Sequence, residues 1–78
     1  MNLRFTAHAE FVMRERGILP DWVDTTVEHP TRRDAAADGT VHYLRRIHQF
    51  GGRWLRVVLN DTVDPRMVVT VFFDRRVR

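Results

Sequence analysis

The sequence predicts an α+β domain, with two N-terminal helices packed on a three- to four-stranded antiparallel sheet. Three observations carry this. Apolar residues recur at helical spacing through residues 7–29, between a capping threonine and a proline stop. From Thr40 the period changes to two. Two turn signals, Gly51-Gly52 and Asn60 through Pro65, then cut the second half into three strand-length runs.

Taken in order, Leu3 and Phe5 read as a brief first strand, the optional fourth of the sheet. Thr6 is a natural N-cap, because its hydroxyl can accept an orphan N–H of the first turn. Ala9 stands where a capping box needs an acid, so the reciprocal half of that motif is missing. Ala7, Phe11, Met13–Arg14 and Ile18 put apolar atoms on one side, and Glu10 and Arg14 are spaced as an outward i,i+4 pair. Gly17 suits the C′ position, which gives a first helix over 7–16. Pro20 and Asp21 suit a second helix start, and Trp22, Val23, Thr26 and Val27 continue its apolar face to His29, where Pro30 stops it. Thr25, Thr26 and Val27 are poor helix formers, so packing must hold this segment.

Residues 31–39 read as a connector with a short extended piece at Arg32–Ala35. Val41, Tyr43, Arg45 and Ile47 then alternate with His42, Leu44, Arg46 and His48. Leu55, Val57 and Leu59 form a second stripe, opposite Trp54, Arg56 and Val58. Met67, Val69, Val71 and Phe73 form a third, opposite Thr70 and Phe72. Helices cover one face of such a sheet. The other face carries Arg56, Trp54, Thr70 and, depending on register, His42 or Tyr43. It is apolar enough to expect a partner or substrate over part of it.

Seventy-eight residues suffice for a single domain, 1–78, with 74–78 read as a flexible basic tail. The longest apolar run is too short to cross a membrane, and no secretory signal is expected. The absence of cysteine excludes thiol chemistry and fits a reducing cytoplasm. A chain this short without disulfides stands to gain stability from a partner, a homo-oligomer included. All thirteen cationic side chains are arginine, which suits phosphate recognition and equally follows from GC-rich codon usage. Their distribution is more telling. Residues 1–39 hold five arginines against seven acids, a balance of −2, whereas residues 40–78 hold eight against three, a balance of +5. A basic sheet half can attract RNA to one face.

His8 falls at the second position of the first helix, where free N–H groups and the dipole favour an anion. Its imidazole is a candidate general base for taking the 2′-hydroxyl proton in RNA cleavage. The same position suits a histidine that merely packs or caps locally. Arg56 in mid-strand, and Arg75 and Arg76 after the last strand, are candidate phosphate clamps or plain solvated surface. Arg53, beside the glycine turn, reads as surface. Thr70 can orient a phosphate oxygen, and Tyr43 can donate to phosphate or stack on a base, though both also belong in strands by propensity. Arg16 lies two turns below His8, with Glu15 nearer the His8 face. No metal is expected, because His8, His29, His42 and His48 show no ligand spacing, and neither is a cofactor, since no glycine-rich phosphate loop is present.

Phe5-Thr6-x-His8-Ala9, Met13-x-Glu15-Arg16-Gly17-Ile18, Pro30, Leu55-Arg56-Val57-Val58 and Val68-Val69-Thr70-Val71 together resemble the small bacterial DUF4258 family. The resemblance spans nearly the whole chain and is most specific in the N-terminal string. It implies a barnase–EndoU–colicin–RelE-like (BECR) fold, a group that includes metal-independent ribonuclease toxins. It also implies functional positions at His8, Arg16, Arg56 and Thr70. One departure is evident: the family commonly carries arginine where this chain has Val12. An altered phosphate site would then rely on Arg56, Arg75 or Arg76.

The leading expectation is therefore a metal-independent endoribonuclease, the toxin of a toxin–antitoxin pair. It would use His8, Arg56 and Thr70 in catalysis and Arg16, Tyr43, Arg75 and Arg76 in binding. Its partners would be RNA and an antitoxin laid along the basic sheet face, without a membrane. The alternatives are a non-catalytic RNA- or protein-binding module of the same fold, and an interaction protein whose basic face fits an acidic partner.

Overall fold

The first strand of the chain lies beside its last. The computed structural model describes residues 2–77. In it β1 (Leu3–Phe5), β2 (Arg32–Ala35), β3 (Val41–Ile47), β4 (Arg53–Asn60) and β5 (Arg66–Phe73) form one sheet in the order β1-β5-β4-β3-β2. Neighbours from β2 to β5 are antiparallel, whereas β1 runs parallel to β5. The protein is thus α+β with two helices and a five-stranded mixed sheet. Two expectations need correction: the sheet has five strands, and it is not wholly antiparallel. The added strand is Arg32–Ala35, exposed along its length on the sheet's outer edge. β1 is parallel because the chain turns directly from it into a helix, so no hairpin joins it to its neighbour.

Helix α1 (Ala7–Arg16) is capped as its sequence dictates: the Thr6 hydroxyl accepts from Ala9 N–H at 3.0 Å. Gly17 closes it in the left-handed region (φ 65°), and Ile18 N–H donates to Met13 carbonyl. Its buried side chains are Ala9 and Met13, while Phe11 is exposed, so the apolar face is rotated from the one expected. Glu10 and Arg14 form no ion pair among the described residues. Helix α2 (Pro20–Glu28) starts at Pro20, buries Val23, Thr26 and Val27, and ends at His29. The Thr26 hydroxyl donates back to Trp22 carbonyl at 2.8 Å, and Arg45 Nη1 donates to the terminal His29 carbonyl at 2.7 Å.

Both helices lie on one face of the sheet. Leu55, Val57, Leu59, Val68 and Val71 are completely buried there, with Val41, Tyr43 and Ile47 from β3. Val68 is a correction, because strict alternation assigned Val69 and Met67 to this face. The register explains it. Val58 opposes Thr70 while Leu59 opposes Val68, leaving Val69 as the extra residue of a β-bulge. The phase of β5 shifts by one residue there, so Val68 and Val71 both face the helices. Register also decides between His42 and Tyr43: His42 shares the open face with Val58 and Arg56, and Tyr43 points into the core.

Thr6 ties these parts together. Its backbone N–H donates to Val68 carbonyl at 3.0 Å, and its hydroxyl donates to Val69 carbonyl at 2.8 Å while accepting from Ala9. Replacing Thr6 with alanine removes both side-chain bonds. Urea unfolding is expected to show a loss of about 1–2 kcal/mol, with Thr6→Ser retaining most of it. An unchanged midpoint in Thr6→Ala would refute this role.

Candidate active-site groove

Pairing with β1 ends at Phe5↔Val68, so the outer edge of β5 beyond the bulge has no strand beside it. Helix α1 runs past that edge instead. Between them lies a groove of about 580 Å³, walled by His8, Phe11, Val12, Glu15 and Arg16 from α1 and by Thr70 through Phe73 from β5. Phe50, Arg53 and Arg75 complete it. Phe50 belongs to the short 3₁₀ turn His48–Phe50, which the Gly51-Gly52 pair closes in left-handed geometry.

His8 Nε2 lies 3.1 Å from Thr70 Oγ1, a hydrogen bond between residues 62 positions apart. Three guanidinium groups share the groove with this pair: Arg16, Arg53 and Arg75, all on exposed side chains. Glu15 is the acidic side chain there, about 10 Å from His8 along the helix axis at 1.5 Å per residue. Beneath them, Phe50 and Phe73 stack at 4.5 Å and 11°, with Trp22 packed against both. The Arg53 guanidinium lies 5.3 Å above the Phe50 ring, a cation–π contact at the groove side of this aromatic stack. The arrangement offers a proton acceptor held by a hydroxyl, cationic forks for an anion, and aromatic surface.

The other candidate residues lie elsewhere. Arg56 is on the open face of the sheet, where its Nε donates to Asp74 Oδ2 at 2.8 Å and its Nη1 donates to His42 Nδ1 at 2.9 Å. Arg76 donates to Asp74 Oδ1 from its backbone N–H at 2.9 Å and from Nε at 3.3 Å. Both are occupied by one carboxylate, 5% exposed. Tyr43 is buried, accepting from Arg33 Nε at 3.3 Å and donating to Asp61 Oδ2 at 3.1 Å. The structure therefore brings His8, Thr70, Arg16 and Arg75 together and leaves Arg56, Arg76 and Tyr43 outside the groove. Arg78, the last residue of the expected basic tail, lies outside the described residues. Among the described residues, no three histidine or acidic side chains converge as a metal set would.

Arg53 and Phe11 are groove residues that sequence reasoning passed over. The register puts Arg53 opposite Ile47 on the helix-bearing face, at the start of β4 beside the 3₁₀ turn. A visible signal was the phase of β4, since Arg53 shares its alternation with Leu55 and Val57. For Phe11 the signal was the three-residue spacing from His8, which places the two on one helix face.

The family described as domain of unknown function (DUF4258) matches residues 5–73. The chain belongs to this family. The match covers the capping threonine, both helices and β2 to β5, and every groove residue named above except Arg75 lies within it. No curated protein and no solved structure matches the chain. No described helix of this DUF4258 domain is long and apolar enough to cross a membrane.

Asp74 gives the DUF4258 domain an acid-sensitive anchor. Burial opposes its ionisation, but the Arg76 backbone N–H and the Arg56 and Arg76 side chains outweigh that and hold its carboxyl at about 2, below the ordinary 3.8. A depressed carboxylate contributes stability that is fully present above the unfolded-chain value and is lost as pH falls through the folded one. Stability measured by urea is therefore expected to fall between about pH 4 and pH 2, and Asp74→Asn is expected to flatten that slope. The variant is also expected to be less stable at neutral pH, where Arg56 loses its carboxylate. An unchanged acid limb would show that Asp74 is not the anchor.

Proposed function

We propose that the chain is a metal-independent endoribonuclease of the barnase–EndoU–colicin–RelE-like fold, acting as the cytoplasmic toxin of a toxin–antitoxin pair. The observation that carries this reading is the His8–Thr70 contact at 3.1 Å inside a groove bearing three arginines. In this scheme the Thr70 hydroxyl fixes the imidazole through Nε2, and the other ring nitrogen takes the 2′-hydroxyl proton of RNA. The freed oxygen attacks the adjacent phosphorus, and the 5′ oxygen leaves with a proton from solvent. Arg16, Arg53 and Arg75 replace Arg56 and Arg76 as the groups that stabilise the pentacoordinate phosphate. Two helices packed on the antiparallel β2–β5 part of the sheet support the fold comparison.

The open sheet face suits the inhibitor. Arg46 lies over Trp54 at 5.0 Å there, and Arg32 and Arg56 stand nearby in register with Leu44. An acidic antitoxin segment with apolar anchors fits such a face. A second reading, a binding module without catalysis, is favoured by Val12, which lines the groove where arginine is expected of the family.

The deciding experiment incubates inhibitor-free protein with end-labelled single-stranded RNA in excess EDTA, alongside His8→Ala. The expected outcome is cleavage leaving 2′,3′-cyclic phosphate ends, reduced at least about a hundredfold in the folded variant. Thr70→Val is expected to slow cleavage less, because it misorients the base without removing it. No cleavage by the folded wild type would sink the enzyme reading and leave RNA binding by the groove as the alternative.

A further inference from the structure

Among the described residues only three large apolar side chains are exposed, Phe11, Leu19 and Val63, and only Phe11 lines the groove. It is 55% exposed, one helical turn from His8, although Ala9 and Met13 beside it in the helix are buried. The groove it lines carries Arg16, Arg53 and Arg75 as well as Phe50, Phe72 and Phe73. A wholly apolar partner would bury those charges unpaired, at high cost. The occupant that fits must offer a flat apolar face and a negative charge close together. A nucleotide does both.

Across the groove, the Phe73–Phe50 stack is topped by the Arg53 guanidinium. Arg53 is exposed and lines the groove, so its guanidinium is available as a second platform. Unpaired bases stack on aromatic rings and on arginine planes alike, whereas bases inside a duplex have no free face to give. We propose that Phe11 and Arg53 form a nucleobase-stacking subsite that takes one splayed base of single-stranded RNA, next to the phosphate held at His8. The proposal rests on the groove being the RNA site, and it makes the substrate class single-stranded by construction.

The test measures binding of a short 2′-fluoro RNA strand, which lacks the attacking hydroxyl, by fluorescence anisotropy. A matched strand with abasic residues and a duplex of the same sequence serve as probes beside it. Wild-type protein is expected to bind the base-bearing strand about tenfold more tightly than the abasic one and more tightly than the duplex. Phe11→Ala is expected to abolish that ratio and Phe11→Trp to keep it, with thermal unfolding confirming that both fold. Arg53→Lys, which keeps the charge and loses the plane, is expected to lose part of the ratio. Equal affinity for base-bearing and abasic strands, or a full ratio in Phe11→Ala, would overturn the subsite. Failure of the ribonuclease reading is distinguishable: the ratio would be present while unmodified RNA stays intact. Conversely, cleaved RNA with a ratio of one would retire the subsite and leave the chemistry standing.

Discussion

The Thr6 hydroxyl is the joint on which the rest of the molecule depends. It accepts from the first turn of α1 and donates to Val69 on the last strand, so a local cap is also a tertiary bond. Because Val69 is the bulged residue, its carbonyl is turned out toward the sheet edge to receive that bond. The start of the helix is thereby fixed against β5, and the next polar residue along it, His8, meets the next polar residue along the strand, Thr70. A cap elsewhere would give the same helix without the same groove.

The basic half of the chain divides between two faces that play different parts. On the open face Asp74 pairs with both Arg56 and Arg76, and His42 takes another Arg56 donor, so this cluster is partly compensated. Arg16, Arg53 and Arg75 at the groove form no ion pair among the described residues. Guanidinium groups without an ion pair attract anions more strongly than paired ones do, and three of them line the edge groove against the single carboxylate of Glu15.

Much of the fold was legible because its signals are local. Thr6, Gly17, Pro20 and Pro30 bound both helices at their observed limits, and even the short piece at Arg32–Ala35 was visible as an extended run. What was not legible depends on pairing across the chain. Nothing near Leu3 says that it will lie parallel to Arg66, and nothing in Val68-Val69-Thr70 says which residue is extra, since all three suit a strand. The site followed the same division. His8 and Thr70 were readable as polar residues at special positions, whereas the reach of Arg53 and the sequestration of Arg56 by Asp74 required the register.

The parallel seating of the first strand against the last has a consequence for how the protein is made. The two sides of the groove come from opposite halves of the polypeptide, with His8 and Thr70 separated by 62 positions. On a translating ribosome the histidine emerges early and stays without its partner strand until β5 has been synthesised and released from the exit tunnel. Until then the nascent chain has no assembled groove. Assembly of the groove waits for β5.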